Sequence, residues 1–156
     1  MGQVFVLSNY VLKYSRGPEV KYISHLDFVR MFHRTVRRAG LDMEYSQGFN
    51  PHPIMTVAIP LSVGVTADGE YMKIGFKDGY TEQEIMTRIN DSLPGGYKIT
   101  AIKIATGKEF DFAKLDRAEY TVDMELVGDI DIDVFLSLPE IRVMKKSKSG
   151  VKETDI

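Results

Sequence analysis

The sequence contains no cysteine. That absence excludes a disulfide framework, a thiolate nucleophile, and any iron–sulfur or zinc–thiolate site built from this chain alone. Long apolar runs are also missing. Nothing approaches the ~20 residues that a membrane helix needs, so no membrane association is expected. Val4 to Leu7 is too short for a secretory apolar region, and no positive segment precedes it. A cytoplasmic location is the simplest expectation. Metal-ligand spacing is lacking too: His25, His33 and His52 include no i, i+4 pair, so no metal site is expected. With no nucleophile motif either, no catalytic residue and no cofactor is assigned. The chain reads as a binding or accessory domain more than an enzyme.

What is present is an ordinary globular composition. The 156 residues are 44 % hydrophobic and 27 % charged, enough for one domain or two very small ones. The net charge of −2 hides an uneven distribution. Tyr10 to Pro53 carries seven Lys/Arg against four Asp/Glu, whereas Ile54 to Glu140 carries eight against sixteen. Ile141 to Ile156 is again basic, five against two. An acidic whole argues against a nucleic-acid partner, but the local asymmetry keeps one open.

Residues 4 to 15 are rich in β-branched and aromatic types and predict a strand, broken by Arg16-Gly17-Pro18-Glu19. Ser24 is a good N-cap, with Asp27 three residues on as a capping-box partner, and the helix should run to about Ala39 before Gly40. Leu41 to Tyr45 is short and extended. Ile54 to Leu61 and Glu70 to Phe76 predict strands. Thr81 caps a second helix to about Leu93, and Tyr97 to Ala105 predicts a further strand. Strand, helix, strand, strand, helix, strand is the ferredoxin-like split βαβ order, an α+β fold spanning residues 4–105. Residues 106–156 then read as a charged connector and a partial second α+β unit. There Ala118 to Val127 predicts a strand, Ile130 to Leu138 a short helix, and Ile141 to Met144 the start of another strand. Either the chain stops before a second copy closes, or this is a small C-terminal subdomain.

Projected at roughly 100° per residue, the first helix separates two faces. Phe28, Val29, Phe32, Val36 and Ala39 form the core stripe. Arg30, Arg34, Arg37 and Arg38 gather on the other side, with His33 at the border. Guanidinium is planar, always charged, and grips phosphate or carboxylate through two parallel donors. Such a stripe is either a solvated or internally paired face, or an anion site for RNA or another phosphate-bearing ligand. The loop Gly48-Phe49-Asn50-Pro51-His52-Pro53 follows. Two of the chain's 6 prolines stiffen it. Gly48 permits positive φ or close backbone approach. Ser46, Asn50 and His52, with His25 at the helix start, are the candidate binding-loop residues. The alternative is a structural turn with Phe49 as a core plug. A third possibility is metal-independent RNA cleavage by His25, His33 or His52 beside arginine, which requires their convergence in space.

The residues Tyr22-Ile23-Ser24-His25-Leu26-Asp27, Arg30, Arg37-Arg38-Ala39-Gly40 and Tyr45-Ser46-Gln47-Gly48-Phe49-Asn50-Pro51-His52-Pro53 resemble the bacterial radical-SAM-linked domain of unknown function. Pro60-Leu61, Gly64, Glu70-Tyr71 and the Asn90-to-Pro94 segment continue the likeness, which is good over residues 10 to 105 and looser beyond. Domains of that kind are found fused to, or encoded beside, a radical S-adenosylmethionine protein. The resemblance implies an accessory role beside such an enzyme, with RNA as a possible substrate and the enzyme itself as a possible docking partner. This chain has none of the three cluster cysteines, so it would not hold the radical enzyme's iron–sulfur cluster itself. Oligomeric state is not indicated.

Overall fold

A computed structural model describes residues 7–77, 79–106, 110–123, 125, 127–128, 131–147 and 150–155. The chain divides into two compact units, Met1–Asp116 and Arg117–Ile156.

In the first unit the order is β1 (Leu7–Arg16), α1 (His25–Arg38), β2 (Met55–Val57), β3 (Ala67–Lys77), α2 (Glu82–Ser92) and β4 (Tyr97–Ile104). The four strands form one sheet in the order β2-β3-β1-β4, and every neighbouring pair is antiparallel. Alternation along the strands sends one set of side chains toward the helices. Tyr10, Leu12 and Tyr14 of β1 join Met72, Ile74 and Phe76 of β3 and Tyr97 and Ile99 of β4. Against them pack Phe28, Phe32 and Val36 of α1 and Ile85 and Ile89 of α2. Phe28 is the aromatic hub: its ring stacks on Tyr14 at 5.1 Å and lies 5.4 Å from Tyr97. Burial, and secondarily the nearby Glu70 charge, raises the Tyr14 phenol above its ordinary range.

The entry into α1 is held by a buried arginine. Arg16 is 4 % exposed and lies at the end of β1. Its Nε donates to the Val20 carbonyl at 3.3 Å, and its Nη2 donates to the carbonyls of Val20, Lys21 and Ile23 at 3.2, 2.7 and 2.5 Å. A one-turn 3-10 segment, Pro18–Val20, makes the reversal compact. Beyond it Ser24 caps α1, accepting from the Asp27 N–H, and Ala39 closes it. At the far side of the sheet Asn90 of α2 fastens edge strand β4. Its side chain accepts from the Ile99 N–H at 2.8 Å and donates to the Ile99 carbonyl at 3.0 Å.

Several boundaries differ from those the sequence predicts. β1 extends through Arg16 instead of breaking there, because Arg16 still pairs with Ala67 and Tyr97. Val4 to Val6 of that expected strand lie outside the described residues. The strand expected over Ile54 to Leu61 shrinks to Met55–Val57. After Ala58 the chain leaves the sheet through Pro60, which has no N–H to give a ladder. It then turns so that the Gly64 N–H bonds the Lys21 carbonyl at 2.7 Å. β3 begins earlier than expected, at Ala67, since the end of β1 offers it a partner.

The second unit holds α3 (Ile132–Leu136) and a hairpin of β5 (Arg142–Ser147) and β6 (Gly150–Asp155). The strand expected over Ala118 to Val127 is absent among the described residues, all of which are exposed there. Its described apolar residues are all exposed, and Met124 and Leu126 lie outside the described residues. The helix expected over Ile130 to Leu138 is shorter, with Asp131 as its N-cap, and Ile130 is not described. The strand start at Ile141 to Met144 becomes a full hairpin arm. Its return arm uses the polar tail residues, with Arg142 3.9 Å from Glu153 across the pair.

Replacing Arg16 by alanine should lower stability by about 3 kcal/mol, because three backbone carbonyls lose their donor. Arg16→Lys should recover only part of this, since an ammonium lacks the planar fork. Urea unfolding midpoints check both. A loss under 1 kcal/mol for Arg16→Ala would show that water replaces the guanidinium without cost.

Candidate functional site

The site is built from α1 and the segment that follows it. At the start of α1 the Ser24 hydroxyl donates to Asp27 Oδ2 at 2.8 Å while accepting the Asp27 N–H at 3.2 Å. The capping box is therefore closed side chain to side chain, and its acid accepts the hydroxyl hydrogen bond. Asp27 also meets Arg30 at 3.2 Å. The Ser24 hydroxyl first, then Arg30 and Arg34, hold the Asp27 carboxyl below its ordinary range.

The arginine face is divided by these contacts. Arg38 is drawn to the neighbouring helix: its Nη2 donates to Thr35 Oγ1 at 3.1 Å and to the Ser92 carbonyl, the last residue of α2, at 2.8 Å. It satisfies a C-terminal carbonyl and complements that end of the helix dipole. Arg30 shares its charge with Asp27. Arg34 and Arg37 are exposed, and neither forms an ion pair among the described residues.

The loop closes into a small hairpin. Tyr45 bridges Pro53, and the Ile54 N–H donates to the Glu44 carbonyl at 2.8 Å. One step outward, the Ser46 N–H donates to the His52 carbonyl at 2.9 Å, and the His52 N–H donates to Ser46 Oγ at 3.1 Å. Ser46 Oγ also lies 2.9 Å from His52 Nδ1. A hydroxyl that accepts the main-chain N–H is free to donate its own proton to Nδ1, which leaves the neutral imidazole proton on Nε2. At the tip, Gly48 adopts φ +128° with no atom within 4 Å of the place a Cβ would take. Its glycine is required by backbone conformation and not by close approach. Phe49 is fully exposed, in contrast to a core plug, and Asn50 beside it is exposed as well.

His33 of α1 lies within electrostatic range of His52 in the hairpin. Burial lowers the His33 pKa below its ordinary value, and the His52 charge lowers it further. His33 Nε2 is buried with no hydrogen-bond partner among the described residues. His25 is the first residue of α1, about 12 Å along the helix axis from His33 at 1.5 Å per residue. Among the described residues no group of three or more His, Asp, Glu or Cys side chains could hold a metal ion. None of the described helices is long and apolar enough to cross a membrane.

Sequence reasoning considered Phe49 only as a core plug, and gave no separate role to the exposed Tyr22 and Leu26 at the start of α1. The signal for Phe49 was its place after Gly48 and before Asn50-Pro51. A bulky apolar residue at the apex of a stiff turn has no core within reach.

The His33 shift carries a pH dependence. Its folded pKa lies below its unfolded value, so the unfolded chain takes the proton first. The associated stability is present above about pH 6.5 and is lost as pH falls through the depressed folded value. The melting temperature should fall between pH 7.5 and 5.5, at about 6.5 for the unfolded group, and His33→Gln should flatten that slope. An unchanged slope in His33→Gln would assign the dependence to other groups.

A comparison with curated proteins finds no match. Residues 9–156, nearly the whole chain, fit the model of the family described as "Uncharacterized protein conserved in bacteria (DUF2344)". The capped α1, its divided arginine face and the hairpin thus belong to a member of this conserved bacterial family.

Proposed function

We propose that the first unit is a recognition module for a phosphate-bearing macromolecule, RNA such as tRNA or rRNA, acting beside a partner enzyme. The observation that carries this reading is the pair Arg34 and Arg37, exposed on α1 and unpaired among the described residues. Guanidinium groups that are already paired gain little from a phosphate. Unpaired ones keep both parallel donors for it. The hairpin follows α1 in the chain, and its His52 charge acts on His33 of that helix. The hairpin offers Asn50 as a polar reader and Phe49 as a flat apolar face on which a base can stack. The scaffold is read as ferredoxin-like. Its β-α-β-β-α-β order and the strand order β2-β3-β1-β4 support that reading. The resemblance to radical-SAM-linked domains supports a radical S-adenosylmethionine protein as the enzyme served.

A second reading has its own observation. Tyr22, Leu26 and Phe49 are exposed apolar side chains on or near α1 and its hairpin, and such groups anchor protein interfaces. In that reading the surface docks on the enzyme itself, and the arginines meet carboxylates.

The double variant Arg34→Glu/Arg37→Glu separates the two. With labelled tRNA, binding should weaken at least about ten-fold, and the slope of log K against log salt should fall by roughly one to two. Wild-type affinity in this variant would overturn the RNA reading. Loss of co-purification with the partner enzyme, with tRNA having no effect on it, would favour the docking reading.

A further inference from the structure

We propose that the sheet face turned away from the helices is a second nucleic-acid contact, a platform for single-stranded RNA. This deepens the RNA reading above and rests on it for the class of partner, but it uses a different surface.

The argument begins with alternation. Tyr10, Leu12 and Tyr14 point toward the helices, so Val11 and Lys13 of β1 lie on the opposite face. Register then assigns their neighbours. Val11 sits between Lys73 of β3 and Lys103 of β4, Lys13 is opposite Tyr71, and Ser15 is opposite Lys98. These lysines are scattered through the sequence and only the strand order collects them. None forms an ion pair among the described residues. Glu44 is an acid that reaches this face. Its side chain lies over Gly75, where a Cβ would meet the carboxylate.

Val11 is 5 % exposed, although it is outside the helix-side core. Its cross-strand neighbours Lys73 and Lys103 have methylene stems long enough to cover it while their ammonium groups stay in water. Those groups spring from strands roughly 10 Å apart, two inter-strand spacings. Between such lysines the face also offers aromatic surface. Tyr71 is 40 % exposed with Lys13 Nζ 5.9 Å from its ring centre, and Lys103 Nζ lies 6.0 Å from the Phe110 ring centre.

Ammonium groups beside aromatic rings, Tyr71 on β3 and Phe110 in the segment after β4, match the chemistry of an unpaired strand. The backbone is followed by charge, and bases stack on rings without regard to sequence. A duplex hides its base faces and would use only the charge. The face is basic on a chain whose net charge is −2, so the positive field here is local and directed.

The test uses the full chain with a labelled oligouridylate as probe and polyglutamate of equal charge as control. Lys73→Ala/Lys103→Ala should weaken oligouridylate binding about ten-fold and lower the salt slope by about 1.4, at about 0.7 per phosphate contact. Tyr71→Ala should weaken it at least about five-fold. All these positions lie off the helix-side core, and circular dichroism checks that the variants fold. Wild-type binding of oligouridylate by the double lysine variant overturns the inference, as does failure of the wild-type chain to bind oligouridylate. Polyglutamate bound as tightly as oligouridylate also overturns it, because the face would then be a general polyanion surface. Arg34→Glu/Arg37→Glu keeps the two surfaces apart. If it loses tRNA but keeps oligouridylate, while the lysine variant loses oligouridylate, both readings stand. If only the arginine variant loses RNA, the sheet inference falls and the α1 reading remains.

Discussion

The Arg16 guanidinium is the constraint on which the geometry of the site depends. It is buried at the end of β1 and donates to the carbonyls of Val20, Lys21 and Ile23. A buried charge is costly unless its hydrogen-bonding capacity is used, so it holds one arrangement of the turn and resists others. That turn delivers Ser24 to the N-cap and fixes the exit direction of α1. Phe28 then meets Tyr14 and Tyr97 on the sheet, which sets the rotation of the helix. Once that rotation is set, the residues left facing outward are fixed too.

The outward face is not uniform. Helical spacing places four arginines together, yet each has a different electrostatic history. Arg38 is committed to the end of α2, and Arg30 to Asp27. Arg34 and Arg37 form no ion pair among the described residues. The hairpin adds shape to this charge. Its Ser46–His52 rungs make a rigid stem, and Gly48 permits a turn that pushes Phe49 into solvent. A rigid exposed aromatic loses little conformational entropy on binding, as Phe has few rotatable bonds.

The two proposed surfaces lie on different faces of one scaffold. One is arginine-rich, on a helix and a turn. The other is lysine-rich, on the side of the sheet away from the helices. The chemistry differs accordingly: planar forks suit oriented phosphate recognition, whereas flexible ammonium groups suit tracking of a backbone.

Local residue patterns by themselves determined the ends of both long helices. Ser24 and Thr81 are N-caps because a short hydroxyl side chain reaches an N–H three residues on, a contact that needs no distant partner. The same locality made the arginine stripe legible, since a helix converts spacing directly into direction. The lengths of β2 and β3 were not legible, because a strand persists only while a neighbour offers it hydrogen bonds. Nor were the commitment of Arg38 to Ser92, the electrostatic influence of His52 on His33, or the gathering of Lys13, Lys73, Lys98 and Lys103. Each of these joins residues far apart in the chain. Tertiary structure alone decided them, because strand order and helix docking set which distant side chains become neighbours.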